Sequence, residues 1–286
     1  MEISEWLDSQ LSQDIWNKKY RFQNESFEEW LDRVSGGNSD IKQLIKEKKF
    51  IFGGRILSNR GIDTINSSLS NCYVLSVEDS IEDIYKCCSE MARTYSYGGG
   101  VGIDISKLRP RGAKVNNSAK TTSGAVSFMQ TFDTVTNVIG QNGRRAALMI
   151  SIDVNHPDVE EFIDIKANTD QINSANISIR VSDDFMTAVE QNVDSYMLHW
   201  PTDNRSEIVN SLMNDWEYDT LYEIDGCYYK KVNPVKLFDK LVQNNYDYAE
   251  PGILYWDRID HWNMMDKNSN FKYAGVNPLN LKNMRI

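Results

Sequence analysis

Apolar residues in the first fifty positions recur at three- and four-residue intervals, the spacing of short amphipathic helices. Leu7, Leu11 and Ile15 form one stripe with Trp6 and Trp16 beside it, and Ile41, Leu44 and Ile45 mark another. Between them, Ser26-Phe27-Glu28-Glu29 reads as a capping box that opens a helix, which Gly36-Gly37 closes. Gly53-Gly54-Arg55 interrupts the pattern, and the stretch to Ser70 reads as loop. Beyond it, short apolar runs of strand length alternate with helical stretches. Residues 72–77 (CYVLSV), 101–106, 146–152, 176–181, 195–200 and 252–257 read as strands. A helix capped by Asp79 or Ser80 carries Ile81, Ile84, Tyr85, Cys88, Met91 and Ala92 on its apolar face. Further helices are expected from Val126 to Ile139, after Pro157, from Ser182 to Glu190 and from Pro234. Asp225-Gly226 signals a hairpin turn between LYEI and CYYKKV.

Strands separated by helices argue an α/β fold with a mostly parallel sheet, which right-handed crossovers would curl toward a barrel or half-barrel. Ligands of such sheets bind beyond the carboxyl ends of the strands. That makes the polar loops 107–125 and 141–145 candidates for the binding face.

Composition narrows the function classes. The 286 residues carry a net charge of −10, with no long Lys/Arg block. Neither nucleic acid nor an anionic membrane surface is an expected partner, since both need a basic face. The first twenty residues are polar throughout and no window approaches the roughly 18 apolar residues of a membrane span. A cytoplasmic location is the expectation. The four cysteines, Cys72, Cys87, Cys88 and Cys227, have neither metal-ligand spacing nor a secreted disulfide pattern, and no metal site is expected. His156, His199 and His261 are scattered, and His156 ahead of Pro157 reads as a helix cap.

The stretch Ser68–Arg109 holds the candidate chemistry. Cys72 opens a strand beside Ser68, Ser70 and Asn71, hydroxyl and amide groups suited to phosphate or sugar. Gly98-Gly99-Gly100-Val101-Gly102 would let a ligand touch backbone N–H groups, or else it is a helix C-cap with a tight turn. It is not a dinucleotide fingerprint, because the G-x-G-x-x-G spacing is absent. Gln141 to Arg145 places two guanidinium groups, Arg144 and Arg145, in a polar loop apt for phosphate or a purine carbonyl. Cys87 and Cys88 read as core thiols.

Several segments in order resemble the large catalytic subunit of ribonucleotide reductase, most closely the adenosylcobalamin-dependent class II diphosphate reductases. They are SNCYVLSVEDSIEDI, RTYSYGGGVGIDISKLRPRGAKV, TTSGAVSFMQTFD, GQNGRRAALMISIDVNHPDVEEFIDIK, NISIRVSDDFM, and YDYAEPGILYWDRI followed by YAGVNP. The resemblance runs from about residue 14 to Pro278. It implies an N-terminal helical region (1–52), then roughly the first half of a ten-stranded α/β barrel (53–278), then a divergent tail (279–286). It also places the chain among relatives with no ATP-cone segment ahead of the helices.

By resemblance, Cys72 is the N-terminal member of the cysteine pair that reduces the ribose 2′ position. Ser70, Asn71, Gly99 and Gly100 stand at the substrate. Asp79, Ser96 and Arg109 stand at the deoxynucleotide or ATP effector. Residues 113–124 resemble the first effector loop, where Asn116 replaces a basic residue of some relatives. Gln141, Arg144 and Arg145 fall in the second. Asn277 is the expected orienting amide of the catalytic loop. The implied partners are a nucleotide substrate and effector, a thioredoxin-like reductant, a second copy of the chain, and a complementary C-terminal reductase segment.

That last partner follows from a departure. The family continues Asn-Pro with the radical cysteine and, two positions later, a glutamate. Here Leu279-Asn280-Leu281 follows Asn277-Pro278. The chain alone is therefore expected to be inactive, with an intron, intein or split gene as the origin of LNLKNMRI. The rival readings are a non-catalytic fragment that only binds nucleotide or an assembly partner, and an α/β phosphate-binding enzyme with a redox thiol.

Overall fold

The computed structural model describes residues 3–64, 68–139, 146–167, 172–203, 213–263 and 272–278. It divides into two units, Met1–Asn71 with Tyr97–Gly99, and Cys72–Ser96 with Gly100–Ile286.

Aromatic burial organises the first unit, which contains α1 (Ile3–Trp6), α2 (Gln10–Lys19), α3 (Phe27–Ser35), α4 (Ser39–Lys46) and α5 (Gly54–Asn59). Trp6, Trp16, Phe27 and Trp30 pack with Leu31, Val34, Ile45 and Leu57. The stripe expected on α2 is turned outward: Leu11 is 69% exposed and Ile15 37%, whereas Trp16 is buried. A large ring removes more apolar area from water than either aliphatic chain, so the tryptophans set the rotation of the helix. The capping box on α3 is present in both directions, and Gly36 closes the helix in the left-handed conformation. The expected loop after Gly53 contains α5 instead, because Leu57 is buried and its carbonyl accepts the Trp30 indole N–H at 3.2 Å. The helical unit thus runs past residue 52.

The second unit is built on a five-stranded parallel sheet in the order β1-β2-β3-β4-β8. Its strands are β1 (Cys72–Leu75), β2 (Gly100–Asp104), β3 (Leu148–Asp153), β4 (Ala175–Val181) and β8 (Gly252–Tyr255). Crossovers run through α6 (Ile81–Ser96), α7 (Met129–Val138), α8 (Val159–Asp164), α9 (Asp183–Glu190) and α10 (Pro234–Tyr248), with α11 (Trp256–His261) after the last strand. One face of the sheet is aliphatic: Val101, Ile103, Leu148, Ile150, Ile152, Ile177 and Ile179 form the main core with Met91, Tyr95, Phe132 and Phe162 from the helices. On α6 the buried side is Ile84, Cys87, Cys88, Met91 and Tyr95, while Ile81 and Tyr85 are 52% and 58% exposed.

The strand expected at 195–200 does not join this sheet. β5 (Tyr196–Trp200), β6 (Leu221–Ile224) and β7 (Cys227–Val232) form a separate antiparallel sheet within the crossover from β4 to β8. Asp225 and Gly226, both at positive φ, make the turn between β6 and β7. Such a turn makes β6 and β7 antiparallel, and β5 pairs with the other edge of β7 instead of joining the parallel array.

Candidate functional site

The opposite face of the parallel sheet is polar, and period-two alternation fixes who shares it. Cys72 pairs with Gly100 and Val74 with Gly102, Gly102 with Met149, Asp104 with Ser151, and Asp153 with Arg180. Cys72, Gly100, Gly102, Asp104, Ser151, Asp153 and Arg180 therefore lie on one side. The segment Gly275–Pro278 runs across it. A Cβ on Gly102 would lie 1.8 Å from the Val276 carbonyl oxygen and 2.9 Å from the Asn277 Cα. One on Gly100 would come within 3.4 Å of Pro278. Val276 packs with Met149 and Leu254.

The glycine run thus serves two purposes. Gly98, at φ +83, makes the turn after α6, and the Arg55 guanidinium donates to its carbonyl. Gly100 and Gly102 clear a path for another part of the same chain. Ser70, Asn71 and Gly99 belong to the helical unit; Ser70 is exposed and Gly99 buried. Cys72 and Asn277 are half-buried.

Further along the polar face lies a charge network that sequence reading missed. Arg180 meets Asp104 at 3.1 Å and Asp153 at 3.1 Å, stacks on the Trp256 ring at 4.1 Å, and Ser151 donates to Asp104 at 2.6 Å. Burial raises the Asp153 carboxyl above its ordinary range, against the lowering effect of Arg180. Burial also opposes the Arg180 charge, but Asp104 and Asp153 more than offset it, and its pKa rises. The strict alternation of polar residues in strands that read as apolar runs was the available signal.

The second candidate locus lies beyond the carboxyl ends of β1 and β2. A cleft of ≈ 430 Å³ is lined by Asp79, Ile84, Arg109, Val115, Asn116 and Thr122, among others. Asp79 accepts the Arg109 Nε–H at 2.6 Å and its backbone N–H at 3.0 Å. Ser80, rather than Asp79, caps α6, accepting the Asp83 N–H at 3.0 Å. The loop 107–125 that walls the cleft is tied at its root by the His156-Pro157-Asp158 turn. His156 is fully buried, its Nε2–H donating to the Leu108 carbonyl at 2.8 Å and its Nδ1 accepting the Asp158 N–H at 3.0 Å. The Asp158 carboxylate accepts the N–H groups of Arg111 and Ala125, each at 3.0 Å, and its pKa is raised by burial.

Asp79 and Arg109 are therefore brought together, and Ser96 is not. Ser96 ends α6 and donates to the Arg93 carbonyl. At 1.5 Å per residue, the helix separates it from the Asp79 end by about 22 Å. The thiol also stands apart from this cleft: Cys72 opens β1 at its amino end, whereas loop 107–125 follows the carboxyl end of β2. The expected ligand loop 107–125 does lie at the carboxyl edge of the sheet. Gln141, Arg144 and Arg145 lie outside the described residues.

No group of three or more His, Cys, Asp or Glu suited to a metal occurs among the described residues. No described helix is long and apolar enough to cross a membrane.

Residues 70–277 match the family model described as ribonucleotide reductase, barrel domain. The chain is 31% identical over 247 residues to the vitamin B12-dependent ribonucleoside-diphosphate reductase of Thermoplasma acidophilum, covering 83% of this chain and 29% of that protein. It is 30% identical over 222 residues to the protein of that name from Mycobacterium tuberculosis, covering 77% and 28%. The class Id ribonucleotide reductase alpha subunit of Actinobacillus ureae shares the fold, with a TM-score of 0.69 at 20% identity over 96% of this chain and 45% of that one. The chain thus spans less than a third of the length of these curated relatives. With its parallel half-sheet and the match over 70–277, the chain belongs to the ribonucleotide reductase barrel-domain family.

Proposed function

We propose that this chain supplies the substrate floor and the effector cleft of a ribonucleotide reductase that converts ribonucleoside diphosphates to deoxyribonucleoside diphosphates. The observation that carries the reading is the register Cys72↔Gly100, with Asn277 laid over Gly102 on the same face. In-register parallel residues point to one side of a sheet, so the thiol faces the space beside the Asn277 segment. Reduction at the 2′ carbon releases the hydroxyl as water and takes two electrons from two thiols, which become a disulfide. Cys72 is one of them. Asn277 orients a ribose hydroxyl through its amide, and Gly100 admits the ligand to the backbone. Hydrogen abstraction needs a further thiol, and Leu279 stands where the family places it. That group, its glutamate and the second redox cysteine come from a complementary segment. Relatives are named as B12-dependent, and adenosylcobalamin is the cofactor this reading carries over from them.

The cleft suits a deoxynucleotide effector. Asp79 can accept from a sugar hydroxyl, Arg109 can donate to phosphate, and Ile84, Val115 and Phe128 give an apolar wall. Ser96, about 22 Å away along α6, would reach the effector from a second copy whose α6 runs antiparallel. The exposed Ile81 and Tyr85 give that helix an apolar outer side.

The test joins the full chain with a family segment carrying the radical cysteine, a dithiol reductant and CDP, and measures dCDP. Turnover that disappears in Cys72→Ser supports the reading. Effector binding without turnover supports the nucleotide-binding fragment instead. In the full chain, Asp79→Asn should weaken dTTP binding about tenfold, the effect of losing one charge-assisted hydrogen bond.

A further inference from the structure

The wall of the cleft is held from behind by the antiparallel sheet. We propose that Tyr228 is a positioning residue for the nucleotide of the Asp79–Arg109 cleft, acting through the backbone on either side of the Lys114 Cα; this rests on the effector reading above. Three atoms of Arg109 are committed within the protein: its backbone N and its Nε bind Asp79, and its Nη1 donates to the Lys114 carbonyl at 2.7 Å. The N–H of that same Lys114 donates to the Tyr228 hydroxyl at 2.7 Å. Lys114 is thus gripped from both sides, by the cleft's cation and by the sheet. Its ammonium adds an ion pair with Glu223 of β6 at 2.7 Å.

A second tether reinforces the first. Trp200, paired with Tyr228 across β5 and β7, donates its indole N–H to the Lys107 carbonyl at 3.0 Å. The two anchors, at Lys107 and Lys114, bracket Arg109 in the chain. The wall itself is a narrow hairpin, with Lys114 bridged to Thr121 and Gly112 donating to the Thr122 carbonyl. Val115, Asn116, Asn117 and Thr121 of that hairpin face the cleft.

The physical consequence is preorganisation. Ligand contacts from a loop are weakened by the entropy of ordering it, and a prior hydrogen bond removes part of that cost. Without the Tyr228 hydroxyl, the Lys114 N–H loses its acceptor, the backbone about Lys114 is held by the hairpin's own bonds alone, and the carbonyl that fixes the plane of the Arg109 guanidinium is less firmly placed. Arg109 then samples geometries in which it no longer presents a donor to phosphate. The hydroxyl never touches the ligand in this scheme.

The experiment measures dTTP binding to the full chain by equilibrium dialysis, alongside the thermal midpoint. Tyr228→Phe keeps the ring, so the midpoint stays within a few degrees of the parent while the Kd for dTTP rises roughly two- to tenfold. In an Arg109→Gln background the same change should cost nothing further, because the relay ends at Arg109. Glu223→Gln, which removes an ion pair to a largely exposed lysine, raises Kd about twofold and keeps the test open should Tyr228→Phe fold poorly. Unchanged Kd in Tyr228→Phe and Glu223→Gln overturns the proposal. So does a loss in Tyr228→Phe that simply adds to that of Arg109→Gln, which would mark a general structural role. A parent chain that does not bind dTTP at all overturns the effector reading and this proposal with it.

Discussion

Gly102→Ala tests the way the catalytic-loop segment is seated. The added Cβ would stand 1.8 Å from the Val276 carbonyl oxygen and 2.9 Å from the Asn277 Cα, both backbone atoms that no side-chain rotation can move aside. The segment must lift. Val276, now 4% exposed against Met149 and Leu254, then loses its burial. Full burial of a valine contributes about 1.5–3 kcal/mol, so the docked state should weaken by roughly ten- to hundredfold at 1.36 kcal/mol per decade. The assay is amide hydrogen exchange over 272–278, which should quicken by that factor while peptides from β3 and β4 keep their protection. Gly100→Ala is the graded control: its nearest atoms lie at 3.2 Å on Ala147 and 3.4 Å on Pro278, so the shift needed is a few tenths of an ångström. Equal exchange in Gly102→Ala and the parent would refute the seating of Asn277 over β2, and with it the reading of that face as the substrate floor.

Two further predictions concern titration and thiol chemistry. Asp153 has a folded pKa raised above its ordinary 3.8 by burial, so between those two values the folded state binds more protons than the unfolded one. Stability from this group is therefore lost as pH rises through the window, and the gap between parent and Asp153→Asn in urea unfolding should move in the parent's favour as pH falls from 7 toward 4. A gap independent of pH would show that Asp153 is solvated. Burial pushes the Cys87 thiol up to about 12, leaving at pH 8 about one part in ten thousand as thiolate, and burial raises Cys88 as well. Iodoacetamide at pH 8 should label Cys72 and Cys227 first, with CDP slowing Cys72 alone, as peptide mass spectrometry would read; early labelling of Cys87 would refute the packing of α6.

Most elements could be read from the sequence because their causes are local. The capping box at Ser26–Glu29, the Asp225-Gly226 turn and the aliphatic runs of β3 and β4 each depend on neighbours within a few residues. Cys72 and the glycines could be singled out in the same way, since a thiol at a strand start and a run without Cβ atoms are visible in the letters. Their purpose was not. Whether Gly102 makes room for a ligand or for Val276 depends on a segment more than 170 residues further along, and no local pattern encodes that approach. The same limit applies to Asp104, Asp153 and Arg180, which look like ordinary strand-end polar residues until parallel register stacks them.

By itself, the sequence determined the α/β class, the order of strands and helices, the identity of the redox thiol candidate and the resemblance to ribonucleotide reductase, because hydrophobic period, turn chemistry and motif spacing are properties of the chain. Tertiary structure alone decided the placement of those parts. It sent β5 to a separate sheet, turned Trp16 rather than Leu11 inward, and joined Asp79 to Arg109. Each of these is settled by pairing register or by competition among side chains for buried area, and both act between residues distant in sequence.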